Sequence, residues 1–292
     1  MIDKKNILGV GISDATKEEI LEYVIKSIEF FKKKLFFVTP NPEFLVLAHK
    51  NPKFKSILNK ADLASVDGIG LIIASKILGK DFKGRFTGVD LVEGLCKMVS
   101  EKPITVGFLG GRGEVAKKAA ECLRKKYSGL RVVFAQEEWP TGTFALQSRV
   151  SDDVRLQDSE KQSLTSASLS KSRRQSDRKP TFNSSENELP RSNYTLDAKR
   201  YPLIDILFVA FGAPKQEFWI NENLDKIPVK IAIGVGGAFD YISGEIPRAP
   251  DIIRNIGFEW LFRLIIQPWR IRRQLSLLEF IWLVIKEKLS KN

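Results

Sequence analysis

Histidine is nearly absent from this 292-residue chain, His49 being the only one. A lone imidazole builds neither a zinc site of paired histidines nor a Ser-His-Asp triad, so acid–base work falls to carboxylates. Cysteine is almost as scarce. Cys96 and Cys122 sit in helical patterns without metal-ligand spacing, and no signal-like segment precedes them, so they read as buried free thiols of a reducing compartment. No D-x-D pair falls at a strand end, because Asp152-Asp153 lies in a low-complexity stretch. The longest apolar run, around residues 275–285, is interrupted by Glu279 and falls short of the roughly 20 residues that span a bilayer.

What remains is globular and basic. A hydrophobic content of 43% over this length supports one large domain or two smaller ones, each with a core. A formal net charge of +12 calls for an anionic partner: nucleic acid, a phosphorylated substrate or a membrane surface. Many N-terminal lysines scatter over helix faces, where a solvated role suffices. The C-terminal charge differs: Arg248, Arg254, Arg263, Arg270, Arg272 and Arg273 lie among Trp260, Trp269 and Trp282.

Strand and helix signals alternate. Short apolar runs at 7–10, 35–38, 63–66, 104–109, 131–134, 206–210 and 230–235 read as strands. Between them, apolar residues recur at helical spacing over 16–31, 43–51, 53–60, 69–78, 88–99, 114–126 and 215–223. Asp14 or Thr16 caps the first of these helices. The alternation predicts an α/β fold with a mainly parallel, Rossmann-like sheet covered on both faces, whose ligands bind at the carboxyl ends of the strands. Residues 136–200 interrupt it, rich in Ser, Arg, Gln, Asn and Asp and poor in apolar residues, and read as a disordered insertion. The expected division is a core over 1–247 and a basic, amphipathic appendage over 248–292.

The strand ends carry the informative residues. FFVTPNPEFL places Thr39 and Asn41 between and beside Pro40 and Pro42. The prolines fix φ and keep their neighbours out of the helical region, so a hydroxyl and an amide are held over the sheet edge. A plain strand breaker would explain the prolines without explaining the asparagine. SVDGIG sets Asp67 at the next tip, where it suits either a helix N-cap or a general base. Gly110 and Gly111 follow GFL, Gly212 precedes Gln216, and Gly236 and Gly237 follow the last strand. Glycines at such tips let backbone N–H groups approach phosphate, so a nucleotide or nucleotide sugar is a sensible ligand. Without a carboxylate pair for a metal, a departing diphosphate would be met by arginine and helix N-termini.

TPNPEFL, SVDGIG, GFLGGRGEVAKKAAECL, DILFVAFGAPKQEFWI and GVGGAFDYISGEIPRAPDIIRNIGFEWLFRLIIQPWRIRRQ together resemble the WecG/TagA/CpsF family, glycosyltransferase family 26. The likeness spans nearly the whole chain apart from 136–200. It implies an inverting, metal-independent and cofactor-free bacterial transferase of the GT-E type. Such enzymes move a sugar from a UDP-sugar to an undecaprenyl-diphosphate-linked sugar, in teichoic acid, common antigen or exopolysaccharide synthesis. By the matching motifs, Asp67 would be the base and Thr39 and Asn41 would line the sugar pocket. Arg85 and Gln216 would contact substrate, beside Gly110, Gly111, Gly236 and Gly237. Arg263, Arg270 and Arg273 would hold the lipid diphosphate. The insertion departs from the family, which turns here through a short loop near the nucleotide.

The appendage pairs tryptophan with arginine, which suits an anionic membrane surface, with a dimer or domain interface as the other use. The expected place is the bacterial cytoplasm, peripheral on the inner face of the membrane, with a homo-oligomer allowed for. Two rivals belong to other classes. A nicotinamide-dependent oxidoreductase would use Gly110 to Gly113 but lacks the G-x-G-x-x-G order, and a nucleic-acid binder would leave the strand tips idle.

Overall fold

The computed structural model describes residues 2–30, 33–140 and 202–290, so most of the inserted segment lies outside the described residues. The chain opens with an antiparallel hairpin, β1 (Lys4–Ile7) and β2 (Val10–Ser13). The apolar run at 7–10, expected as a strand, is where it reverses. Leu8 and Gly9 hold φ of 52° and 81°, the left-handed pair that a two-residue turn requires. Helix α1 (Lys17–Phe30) follows, and of its two candidate caps Thr16 is the one used. Thr16 Oγ1 accepts from Glu19 N–H while Glu19 Oε2 accepts from Thr16 N–H, at 3.2 and 2.8 Å.

Strand β3 (Leu35–Val38) leads into α2 (Pro42–Lys50) and α3 (Pro52–Lys60). Both helices open on Asn-Pro. Asn41 Oδ1 accepts from Phe44 N–H at 3.2 Å, and Asn51 Oδ1 accepts from Phe54 N–H at 3.0 Å. Proline at the first helical position loses only an N–H that would have gone unbonded. The run continues with β4 (Leu63–Ala64), α4 (Ile69–Ile77), α5 (Gly88–Val99), β5 (Thr105–Gly110), α6 (Val115–Lys126) and β6 (Arg131–Gln136). After the insertion come β7 (Ile204–Ala210), α7 (Lys215–Asn223), β8 (Val229–Gly234) and α8 (Ala238–Ile242). Three further helices close the chain: α9 (Asp251–Asn255), α10 (Glu259–Ile266) and α11 (Ile271–Leu289).

The sheet has six strands in the order β4-β3-β8-β7-β5-β6, and every neighbouring pair is parallel. The alternation of side chains explains the unbroken apolar runs. In β7, Ile206 and Phe208 enter the core on one face while Leu207 and Val209 enter the core on the other. The first core joins α1 and α5 to the sheet through Val24, Leu91, Leu95 and Phe108. The second holds Phe44, Phe54 and Leu58 of α2 and α3. Helix α11 belongs to it: Phe280, Leu283 and Val284, at i, i+3 and i+4, are buried against α2 and α4.

The sixth strand runs farther than expected. Read as ending at 134, β6 extends to Gln136, and Trp139 is buried, with ring centroids 5.2 Å from Phe134 and 5.9 Å from Trp219. The first five residues of the expected insertion therefore belong to the fold. An aromatic packed on aromatics outweighs a polar local composition.

Candidate active site

The strand order decides which tips meet. The carboxyl ends of β4, β3, β8 and β7 are consecutive, and above them lies a cavity of about 520 Å³, roofed by α4, α10 and α11. Its lining includes Asp67 after β4, Thr39 and Asn41 after β3, Gly236 and Gly237 after β8, and Gly212 after β7. Arg85, Arg263, Arg270 and Arg273 line it as well. Nine of the twelve residues given roles through the family motifs thus share one chamber, with Gly212 beside them. Gly110 and Gly111 do not: they end β5, beyond β7 from the chamber.

Hydrogen bonds to backbone carbonyls tie these tips together. Asp67 N–H donates to Pro40 O at 3.1 Å, joining the β4 tip to the proline loop, and Thr39 Oγ1–H donates to Gly234 O at 2.9 Å. Thr39 is buried and lines the cavity, and its hydroxyl is bonded to the scaffold. Asn41 likewise has two duties, as α2 cap and cavity wall. The choice of asparagine between prolines has a local cause after all.

Asp67 is differently placed. The cap position of α4 belongs to Gly68, and among the described residues the Asp67 carboxyl makes no hydrogen bond or ion pair. Desolvation lifts its pKa to about 7, helped by the nearby charges of Glu259 and Asp90 and opposed by Arg85 and Arg248. Arg248 is itself held by Asp90, Thr87 and Glu259. Arg85 donates to Arg254 O at 2.8 Å. The result is a carboxyl that changes charge near neutrality and faces open space, as a general base requires.

The cationic side is built by the C-terminal helices. Arg263 donates to Asp240 Oδ2 at 3.0 Å and lies 4.8 Å over the Tyr241 ring. Arg273 grips Glu43 with both arms, at 2.8 Å each. Arg270 makes no ion pair among the described residues; its pKa is lowered to about 10, by desolvation first and then by Arg263 and Arg273. Such a group gains most from a bound anion. Sequence reasoning missed Tyr241 and Asp90, although TGVD carried the spacing of the capping box that holds Asp90. The rest of the lining includes an apolar group, with Ile73 and Ile77 from α4 and Leu277, Ile281 and Val284 from α11.

Gln216 sits beneath this chamber rather than in its wall. It is fully buried, and its Oε1 accepts from Gly212 N–H and Gly236 N–H at 3.2 and 3.0 Å. Among the described residues no cluster of three or more His, Cys, Asp or Glu side chains is placed to hold a metal ion, and no helix is long and apolar enough to cross a membrane.

The profile of the Glycosyl transferase WecG/TagA/CpsF family matches residues 5–158 and 195–292. The chain belongs to that family. Three similar curated members share one name, N-acetylglucosaminyldiphosphoundecaprenol N-acetyl-beta-D-mannosaminyltransferase. One from Bacillus spizizenii is 28% identical over 88% of this chain and 80% of its own length. One from Staphylococcus aureus strain MRSA252 is 28% identical over 98% of this chain and 93% of its own length. Another, from Bacillus subtilis strain 168, is 24% identical over 87% and 80%. Membership in a glycosyl transferase family replaces both the oxidoreductase and the nucleic-acid reading.

Proposed function

We propose that this glycosyltransferase moves N-acetylmannosamine or a related hexose from a UDP-sugar to undecaprenyl-diphosphate-linked N-acetylglucosamine, with inversion and without a metal, in teichoic acid or surface polysaccharide synthesis. One observation carries the reading. A single cavity joins a carboxyl titrating near neutrality, a cluster of arginines and an apolar wall. These match, in turn, an acceptor hydroxyl, a diphosphate and the start of a lipid chain. The names of the relatives support this choice of sugar and acceptor.

In the proposed step the ionised Asp67 takes the proton of the acceptor hydroxyl. That oxygen bonds to the anomeric carbon from one face as the bond to the UDP phosphate breaks on the other, its electron pair leaving with UDP. Proton removal of this kind is worth about a hundred- to ten-thousand-fold in rate. Thr39 and Asn41 shape the sugar pocket, and Arg85 stands near the reacting carboxylate. Arg263, Arg270 and Arg273 neutralise the lipid diphosphate, a task suited to planar, multidentate cations. Gly110 and Gly111, at their more distant tip, are proposed to serve the nucleotide.

Peripheral attachment to the inner face of a cytoplasmic membrane accords with the outer faces of the C-terminal helices. Ile265, Trp269 and Leu278 are 70%, 72% and 67% exposed there, among basic residues. The test is incubation with a panel of UDP-sugars and a short-chain GlcNAc-diphospholipid. UDP release with one sugar, dependent on the lipid, is expected; no release with any donor would refute the reading.

A further inference from the structure

Glu217 is a buried carboxyl that the transfer step does not use. It follows Gln216 in the first turn of α7 and is fully shielded from solvent, and its Oε2 has no hydrogen-bond partner. Acidic side chains are rarely so enclosed. Its other oxygen, Oε1, accepts from Gln216 Nε2 at 2.7 Å. That bond decides which way the Gln216 amide points. With Nε2 turned to Glu217, Oε1 faces the opposite way and collects the N–H groups of Gly212 and Gly236. A reversed amide would set its own N–H groups against those two donors and leave Glu217 facing an oxygen.

Gly212 and Gly236 wall the cavity, at φ of 78° and 55°. Next to them Gly237 lies so close to Arg263 that a Cβ there would stand 2.9 Å from both terminal nitrogens. Gly234 shows the same crowding from beneath: a Cβ would fall 2.8 Å from Gln216 Nε2 and 3.0 Å from Glu217 Oε1. The strand end is bare where the two side chains pass.

We propose that Glu217 is a positioning residue: it orients the Gln216 amide and thereby fixes the Gly212 and Gly236 backbone that walls the cavity and seats Arg263. Its kinetic consequence rests on the transferase reading above, whereas the hydrogen-bond relay does not. The relay needs an acceptor at Oε1 and no charge, and a carboxamide supplies both.

The experiment compares wild type, Glu217→Gln and Glu217→Met, the last keeping length and volume without the acceptor. Amide hydrogen exchange is followed by NMR at Gly212 and Gly236, with Phe108 and Ile206 as controls in the sheet, and kcat and KM are measured with the UDP-sugar and diphospholipid. Glu217→Met should speed exchange at the two glycines at least about tenfold, the scale of one lost buried hydrogen bond, with the controls unchanged. It should lower kcat/KM by a similar factor, while Glu217→Gln keeps both within about threefold. Wild-type exchange and kinetics in Glu217→Met, or equal damage in Glu217→Gln, would overturn the proposal. Should Glu217→Met fail to fold, Glu217→Gln decides alone, since loss of glycine protection there excludes an acceptor role. Absence of transfer by the wild type would defeat the functional reading and leave the exchange result to judge Glu217.

Discussion

Burial favours the protonated form of Asp67, so between the ordinary carboxylate range and about 7 the folded chain keeps a proton that the unfolded chain has lost. Stability therefore falls as pH rises through that window, and Asp67 contributes a penalty at neutral and higher pH. Asp67→Asn removes the penalty and breaks no bond, because the carboxyl makes none among the described residues. The variant is expected to unfold at a higher temperature than wild type at about pH 8, by an amount on the order of 2 kcal/mol, with the gap closing below about pH 4. Thermal melts across pH check this, and a variant less stable at high pH would contradict it. Asp67 was legible in the sequence because a carboxylate and a glycine at a strand tip form a short, local signal. Glu217 was not, since the strand that buries it, β8, lies later in the chain than its own helix and nothing in PKQEF announces the contact.

Among elements, α11 carries two faces with different duties. Phe280 is buried between α2 and α4, whereas Trp282 is 57% exposed, with the Lys286 ammonium 5.1 Å from its ring. Phe280→Ala is expected to destabilise the fold by about 3–5 kcal/mol, the usual loss for a buried aromatic. Trp282→Ala should lose less than about 1 kcal/mol yet weaken sedimentation with anionic vesicles, because exposed side chains contribute little to folding and more to interfaces. Equal melting temperatures for the two variants would show that α11 is not part of the core. The same helix and its neighbour hold the arginines, so replacing Arg263, Arg270 and Arg273 together with Gln should abolish transfer to the lipid acceptor while UDP-sugar binding persists. Normal turnover with normal sedimentation would reduce them to a solvated face. The parallel sheet was readable from alternating signals, but its strand order was not, because order is set by long-range pairing. That order is why Gly110 and Gly111 stand apart from tips that look equivalent in sequence. The buried face of α11 was hidden for a related reason: LLEFIWLVI is apolar on both sides, and periodicity alone does not say which side meets the core.

For the whole molecule, the charge of +12 is not spread evenly in its effect. Surface lysines pair with surface carboxylates, as Lys102 does with Glu29 and Lys126 with Glu93, and such pairs contribute little. In the proposed function the arginines around the cavity meet the charge of the lipid diphosphate without a metal ion, and the account therefore expects EDTA to leave turnover within about twofold, since hard divalent ions are held by clustered oxygen ligands. Loss of activity that magnesium or manganese restores would contradict it. The central claim is that Asp67 removes the acceptor proton, and it is tested most directly by the transfer rate of wild type and Asp67→Asn measured across pH with saturating donor. The wild-type rate should climb through an apparent pKa of about 7. Asp67→Asn should run at least about a hundredfold slower with that rise gone, and bind UDP within a few-fold of wild type. An Asp67→Asn enzyme that keeps the wild-type rate and its rise through neutrality would contradict the account.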